Sequence, residues 1–126
     1  YTLNKTITVV FDYLTDMQKF AFVHPVIYKI EKLSEHKYLV FEKLAFFSFS
    51  YPVTIESNEK GNTIRIQAVV MKFTKINVDF SLKSIDKTTV VQETISIKTP
   101  FPLRSIIASI FKKQHKKLFK NFEEMI

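Results

Sequence analysis

The last quarter of the chain carries a hydrophobic pattern that is typical of one long amphipathic helix. From Leu103 to Ile126, apolar side chains recur at intervals of three and four residues, which places them on one helix face. At about 1.5 Å per residue this helix is roughly 35 Å long, enough to cross a whole sheet. The preceding Thr99-Pro100-Phe101-Pro102 ends the last strand. The predicted face consists of Leu103, Ile107, Ile110, Phe111, Gln114, Leu118, Phe122 and Met125.

Before that helix, apolar and polar residues alternate in short runs that predict β-strands. The first strand is predicted from Thr2 to Val10. A helical stretch from Phe11 to Phe22 follows, in two short helices, and it ends at His24-Pro25 because a residue before proline resists helical angles. Short links then join six further runs as antiparallel neighbours. These runs are Val26 to Leu33, Lys37 to Leu44, Phe46 to Glu56, Asn62 to Phe73, Lys75 to Ile85 and Thr88 to Lys98.

The alternation also assigns a dry face to each strand. The run from Phe46 to Glu56 places an aromatic stripe on one side, in which Phe47, Phe49 and Tyr51 are followed by Val53 and Ile55. Such a face suits the lining of a pocket for a flat or apolar ligand. The alternative, equally open at this point, is that the rings fill the core beneath the terminal helix.

Glu93 is the polar residue whose position conflicts with its neighbours. It falls on the apolar side of its strand, which otherwise reads Val91, Ile95 and Ile97. A carboxylate in a dry cavity is costly unless it is paired or protonated, so Glu93 is a candidate polar anchor for a ligand or an acid/base group. The alternatives are a bulge that turns it to solvent, or a structural pairing with a Lys or Tyr.

The three histidines do not suggest a metal site. His24 lies near the expected cavity mouth, where we predict a capping or structural role, while His36 falls in a turn and His115 on a lysine-rich helix face. No two of them have metal-ligand spacing, and no nucleophile motif accompanies them. We therefore expect no metal, no cofactor and no assigned catalytic residue.

Length and composition narrow the class of protein further. The 126 residues predict a single domain spanning 1–126. The absence of Cys is consistent with a reducing compartment, so we expect a cytoplasmic protein, and the Lys-, Ile- and Phe-rich usage suggests a bacterial source. A single glycine, Gly61, excludes glycine-rich phosphate loops. No apolar run is long enough to span a bilayer, and a leader removed before Tyr1 stays open.

The net charge of +7 and the pI near 9.6 make binding to an anionic partner a candidate function. Only two arginines, Arg65 and Arg104, are present, which disfavours nucleic acid because arginine makes the bidentate phosphate and base contacts. Basic residues concentrate only in the last helix, where we interpret them as a solvated face, with docking to an anionic membrane as the alternative. They are Lys112, Lys113, Lys116, Lys117 and Lys120.

Taken together, these segments resemble the START-like helix-grip (SRPBCC) superfamily, the group of pollen-allergen-like proteins, polyketide cyclases/aromatases and lipid-transfer domains. The likeness rests on the opening strand into Val9-Val10-Phe11-Asp12-Tyr13, on Phe22-Val23-His24-Pro25-Val26, on the meander and on the helix launched at Pro102-Leu103. It implies an α+β fold, with a curved antiparallel sheet of about seven strands gripping the C-terminal helix around a hydrophobic cavity. Most members bind lipids, sterols or polyketides, and a minority are enzymes.

Three functions follow from this reading. We expect first a non-enzymatic binder or carrier of a lipid, sterol-like or polyketide-like molecule. The second is a cyclase/dehydrase-type enzyme in which Glu93, with a Tyr or His24, moves protons. The third is a module that docks anionic membrane or nucleic acid through the basic helix. The predicted ligand-binding residues are Phe47, Phe49, Tyr51, Ile66, Val78, Phe80, Glu93, Ile95, Ile107 and Phe111.

Overall fold

The computed structural model describes residues 1–44, 47–100 and 102–126, which form a curved seven-stranded antiparallel sheet, one long C-terminal helix and two short helices after the first strand. The predicted helix-grip architecture is therefore confirmed. The strand order is β1-β7-β6-β5-β4-β3-β2, so the chain from β2 to β7 is a meander. The elements are β1 (Thr2–Leu3), α1 (Ile7–Thr15), α2 (Met17–Val23), β2 (Ile27–Lys32), β3 (Lys37–Leu44), β4 (Phe47–Asn58), β5 (Thr63–Val70), β6 (Thr74–Ile85), β7 (Thr88–Lys98) and α3 (Leu103–Met125).

The first predicted strand is wrong over most of its length. β1 covers only Thr2–Leu3, and α1 begins at Ile7, where the Val10 amide donates to the Thr6 carbonyl at 3.1 Å. The β-branched residues here favour a strand locally. As a helix, however, the segment buries Val10 and Leu14 completely, four residues apart on one face. Burial of that face outweighs the local strand preference.

The two short helices are confirmed, together with the signals that separate and end them. Asp16 lies between them, and its side chain accepts hydrogen bonds from the Gln18 and Lys19 amides at 3.0 and 3.2 Å. This is a helix N-cap. α2 ends at Val23, and the following His24 is extended, with φ −73° and ψ 134°, as expected for a residue before Pro25.

The strand bounds differ from the prediction at a few places. Phe46, predicted to open β4, and Phe101, in the link before α3, lie outside the described residues. β5 ends at Val70 because the residues from Met71 to Phe73 form the turn into β6. Here Met71 and Lys72 both have positive φ, 55° and 66°, which ends strand pairing.

The core lies between the sheet and the second half of α3. Leu118 and Phe122 of the helix are completely buried. Three residues predicted on the same face are exposed instead: Met125 closes the helix, and Leu103 and Ile110 border a cavity rather than packed core. The buried face of α3 is therefore shorter than its sequence period suggests.

Candidate ligand-binding site

Two adjoining cavities lie between the sheet and α3. The inner cavity has a volume of about 50 Å³, which is room for a few water molecules. The outer cavity has a volume of about 230 Å³. Neither reaches the roughly 300 Å³ at which pockets for drug-sized ligands usually begin. Five side chains line both cavities: Glu42, Tyr51, Ile76, Phe111 and Gln114.

Apolar side chains form nearly all of the outer cavity wall. Phe47, Phe49 and Tyr51 project from the same face of β4 because side chains alternate along a strand. Their ring centroids follow one another at 5.7 and 5.9 Å. Ile107 and Phe111, one turn apart on α3, close the opposite side. The predicted aromatic stripe therefore lines a cavity in its first half.

A buried carboxyl–phenol pair lies where the two cavities meet. The Tyr51 hydroxyl donates a hydrogen bond to Glu42 Oε2. The register places Val40 of β3 opposite Tyr51, so Glu42 is the diagonal neighbour of Tyr51 on the inward face. Burial raises the pKa of Glu42, although the hydrogen bond from Tyr51 opposes this effect. Burial and the nearby carboxylate raise the pKa of Tyr51 well above its usual value.

His24 lines the inner cavity and directly follows the last residue of α2. Its Nδ1 accepts hydrogen bonds from the Val26 and Ile27 amides, both at 3.2 Å, so the predicted structural role has a direct basis in the geometry. Because Nδ1 is the acceptor, the neutral ring carries its hydrogen on Nε2. Burial, aided by His115, lowers the pKa of His24 to about 3. The side chain is therefore a neutral hydrogen-bond donor at ordinary pH.

His115 and Glu93 form a second buried polar pair. Nδ1 of His115 hydrogen-bonds to Glu93 Oε2, and the two side chains are only 5% and 7% exposed. The imidazole lines the inner cavity, whereas Glu93 lies behind it. The contact fixes the His115 ring and leaves Nε2 for a partner in the cavity. The placement of His115 on the lysine-rich face is thus wrong, while the inward direction predicted for Glu93 is observed.

The structure divides the ten predicted ligand-binding residues into two groups. Seven line one or both cavities. Phe80, Glu93 and Ile95 do not, because β6 and β7 carry them beside the C-terminal half of α3; Phe80 is core and stacks on His115 with 6.2 Å between ring centroids. Ligand contact by these three stays a prediction. The seven are Phe47, Phe49, Tyr51, Ile66, Val78, Ile107 and Phe111.

Sequence reasoning missed two residues of the site although the signal was present. Glu42 alternates with Val40 on the inward side of β3, which is the same register conflict that marks Glu93. His115 lies four residues after Phe111 and three before Leu118, so helical spacing places it on the apolar face of α3. In both cases the polar character of the residue masked a buried position.

The basic residues of α3 lie apart from the two cavities. All five predicted lysines are exposed, and Lys120 makes an i,i+4 contact with Glu124 at 3.9 Å. Lys112 and Lys116 border a separate groove beside Glu93. The solvated face predicted for this helix agrees with these exposures.

Some further features bear on the class of protein. Within residues 1–44, 47–100 and 102–126, no helix combines the length and apolar character that a bilayer crossing requires. The same residues contain no group of three or more His, Cys, Asp or Glu side chains arranged to hold a metal ion. A single domain over 1–126 and a cytoplasmic location stay predictions from the sequence.

Solved structures with the same architecture are similar to this chain at low sequence identity. A START superfamily protein from Mycobacterium smegmatis matches with a TM-score of 0.85 and 13% identity, covering 100% of this chain and 92% of that chain. A conserved protein from Geobacillus kaustophilus matches with a TM-score of 0.81 and 14% identity, covering 99% and 90%. The Zhui aromatase/cyclase from Streptomyces sp. R1128 matches with a TM-score of 0.76 and 12% identity, covering 96% and 86%.

No protein-family profile and no curated protein sequence matches the chain. At 12–14% identity, the structural likeness establishes the fold. The chain has the START-like helix-grip fold, and the resemblance noted in the sequence is confirmed at that level.

Proposed function

We propose that the protein binds a small amphiphilic molecule, with its apolar body in the outer cavity and a hydrogen-bonding group at Glu42 and Tyr51. The observation that carries this proposal is an apolar cavity that ends on a buried carboxyl–phenol pair. The walls favour transfer of hydrocarbon out of water, and a few polar groups set the orientation of the ligand. The START and aromatase/cyclase neighbours support a ligand-binding role for the fold.

The polar end of the cavity favours an uncharged head group. A hydroxyl or a carbonyl fits beside Glu42, Tyr51 and the Nε2 hydrogen of neutral His24, which together offer donors and acceptors. A ligand carboxylate fits less well, because it would meet the buried Glu42 carboxyl. Alcohols, sterol-like molecules and polyketide-like ketones are therefore favoured over free fatty acids.

The cavity volume limits how much of the ligand is enclosed. About 230 Å³ holds a short chain or a small ring system. A full lipid or sterol must extend past the rim at Phe47, Met71 and Phe73, or displace Ile107 and Phe111 from the wall. The proposal thus predicts partial enclosure for a large ligand and complete enclosure for a small one.

The first test is native mass spectrometry of the purified protein, followed by organic extraction and identification of any released compound. A discrete bound mass with a single hydroxyl or carbonyl head group supports the proposal. A protein that stays ligand-free after incubation with alcohols, ketones, sterols and fatty acids contradicts it.

A matched pair of substitutions on α3 locates the binding. Ile107 lines the outer cavity, whereas its neighbour Ile106 is exposed and does not. We expect Ile107→Phe to fill the cavity and lower the affinity for the neutral fluorescent probe aminoanthracene at least fivefold, with Ile106→Phe within twofold of the unmodified protein. Equal affinities for both variants would place the probe elsewhere.

A second candidate function is proton transfer on a carbonyl ligand, because four titratable side chains line the inner cavity. They are His24, Glu42, Tyr51 and His115. Burial raises the pKa of Glu42 above that of an ordinary carboxyl, which favours its role as a proton donor, and Glu93 orients His115. The aromatase/cyclase among the structural neighbours is compatible with such chemistry.

Hydrogen exchange separates this candidate from simple binding. A bound ketone incubated in D₂O gains deuterium next to its carbonyl if a positioned acid/base pair acts on it. Mass spectrometry of the extracted ketone measures the gain against the free ketone in buffer. Faster exchange that Glu42→Gln abolishes without loss of binding supports catalysis, whereas equal rates leave the protein a binder.

A further inference from the structure

Exposed apolar side chains crowd the rim of the outer cavity. Phe47, Met71, Phe73 and Ile106 are each more than half exposed, at 51%, 55%, 54% and 56%. All but Ile106 line the cavity, and Ile106 lies three residues after Leu103 and four before Ile110 on α3. We call this surface the mouth face, and it consists of Phe47, Met71, Phe73, Leu103, Ile106 and Ile110.

The tip of the mouth face is a turn with an unfavourable backbone. Met71 and Lys72 have φ of 55° and 66°, the left-handed region that asparagine and glycine occupy most readily. An apolar and a basic side chain are thus held at the molecular surface in a conformation that neither favours. Strain of this kind clusters at functional sites.

The charge around the mouth face has one sign. No Asp or Glu occurs in the stretches 43–55, 60–78 and 94–122, which contain every residue of the mouth face. Exposed Lys43, Lys72 and Arg104 lie among or beside its apolar residues. Among the residues that line the outer cavity, the one with a carboxyl is Glu42, which is buried and hydrogen-bonded to Tyr51.

The acidic residues lie mostly elsewhere. Glu35, Glu59 and Asp86 occupy the turns that join β2 to β3, β4 to β5 and β6 to β7, at the opposite end of the sheet. The same turns also contain exposed Lys60 and Lys87, so the hairpin end carries charges of both signs. A surface with negative charge therefore attracts the mouth end of the molecule more strongly than the hairpin end.

We propose that the mouth face docks reversibly on a lipid bilayer that contains anionic phospholipid. The apolar side chains enter the interfacial layer, and Lys43, Lys72 and Arg104 contact the head groups. The outer cavity then opens toward the lipid rather than toward water. Large exposed apolar patches rimmed by polar residues mark protein or membrane contact sites, and basic groups at the rim favour an anionic membrane. Docking does not depend on the ligand, so its test uses the ligand-free protein.

The chain contains no Trp, so a single introduced Trp is a specific fluorescent reporter. Phe73→Trp keeps an aromatic ring at the mouth face, and Phe22→Trp, at a 60% exposed position on α2, is the matched control. Each variant is titrated with phosphatidylcholine vesicles, with and without 30% phosphatidylglycerol. We expect a blue shift and quenching by brominated lipid for Phe73→Trp with the anionic vesicles only, and no change for Phe22→Trp.

Two double variants then distinguish the contribution of the mouth face from that of the basic helix face. Met71→Ser with Ile106→Ser removes apolar contact without a change of charge, and we expect at least tenfold weaker co-sedimentation with the anionic vesicles. Lys116→Gln with Lys117→Gln neutralises the basic helix face away from the mouth, and we expect less than threefold loss. Near-unchanged far-UV circular dichroism is required of both variants.

Three results would overturn the proposal. The first is no fluorescence change of Phe73→Trp with the anionic vesicles. The second is strong loss of binding in the Lys116 and Lys117 variant with none in the Met71 and Ile106 variant, which would assign docking to the basic helix. The third is a concentration-dependent blue shift without vesicles, which would show that a second copy of the chain covers the mouth face.

Discussion

Glu42 and Glu93 are two carboxylates on inward faces of the same sheet, yet they occupy different chemical settings. Glu42 on β3 borders both cavities and accepts a hydrogen bond from Tyr51. Glu93 on β7 lies behind the ring of His115 and lines neither cavity. A carboxylate among apolar strand residues therefore indicates a buried polar pair, while its strand decides whether that pair meets a ligand.

The difference follows from how the helices cover the sheet. α2 and the first half of α3 stand away from β3 and β4 and leave space, which Met17 and Phe111 border. The later turns of α3 pack Phe119 and Phe122 onto the core. The Glu42–Tyr51 pair is therefore suited to ligand binding, and the Glu93–His115 pair is suited to holding α3 in place.

The largest expected effect is the loss of stability when the Glu93–His115 pair is broken. His115→Ala leaves Glu93 buried without its partner, and we expect a loss of about 3 kcal/mol in the free energy of unfolding. Urea denaturation measures the loss. His36→Ala, at an exposed turn position, is the control and should change the stability by less than about 0.5 kcal/mol. Equal effects for both variants would mean that the His115 pair does not hold the fold.

The next largest effect is a pH dependence of the folding stability, caused by His24 in the inner cavity. The folded pKa of His24 is about 3, below its unfolded value, so the unfolded chain binds the proton first and stability falls as the pH decreases below about 6.5. We expect a contribution of about 2 kcal/mol between pH 6.5 and 5.

His24→Asn keeps an acceptor for the Val26 and Ile27 amides but does not titrate, so it should flatten this part of the stability–pH curve. The raised pKa of Glu42 acts with the opposite sign, because its protonation accompanies folding as the pH falls. The Glu42→Gln background therefore isolates the His24 contribution. An unchanged curve for His24→Asn in that background would refute the assignment.

A smaller effect is expected on ligand affinity, which should depend on the Glu42–Tyr51 pair and not on the Glu93–His115 pair. Tyr51→Phe removes a hydroxyl at the cavity junction, and we expect about fivefold weaker binding of a ligand with a hydroxyl head, or about 1 kcal/mol. Glu93→Gln keeps a hydrogen bond to His115 and should leave the affinity within twofold. Isothermal titration measures both. The reverse order would make Glu93 the ligand anchor that the sequence suggested.

The smallest effect is expected at a carboxylate on the outer face of the sheet. Asp79 accepts a hydrogen bond from Arg65 Nε at 2.8 Å, but both side chains are well exposed. Asp79→Asn should cost less than about 0.5 kcal/mol, because exposed ion pairs are solvated and screened by salt. Urea denaturation in low and high salt is the check, and a loss comparable to that of His115→Ala would contradict it.

The sequence predicts the fold well because each main element has an unmixed period. The alternation along β4 to β7 and the three- and four-residue spacing in α3 lead directly to the sheet, its order and the terminal helix. The prediction is wrong for the segment from Ile7 to Val10, because its β-branched residues fit a strand equally well. Only packing against the sheet decides that segment for a helix.

The site is predicted less completely, for a different physical reason. The aromatic side of β4 indicates a lining, but the cavity volume depends on where Phe111 packs, which no pattern in the chain specifies. Glu42 and His115 could be found from register and helical spacing alone. Their pairing with Tyr51 and Glu93 comes from distant segments and needs the three-dimensional structure.

The turn at Met71 and Lys72 also offers an engineering control. Asparagine and glycine at these two positions would relieve the left-handed strain and should raise the melting temperature. Selection for stability alone would favour that pair. A variant with a higher melting temperature and weaker vesicle binding would show that this turn lowers the stability of the fold in favour of contact with the bilayer.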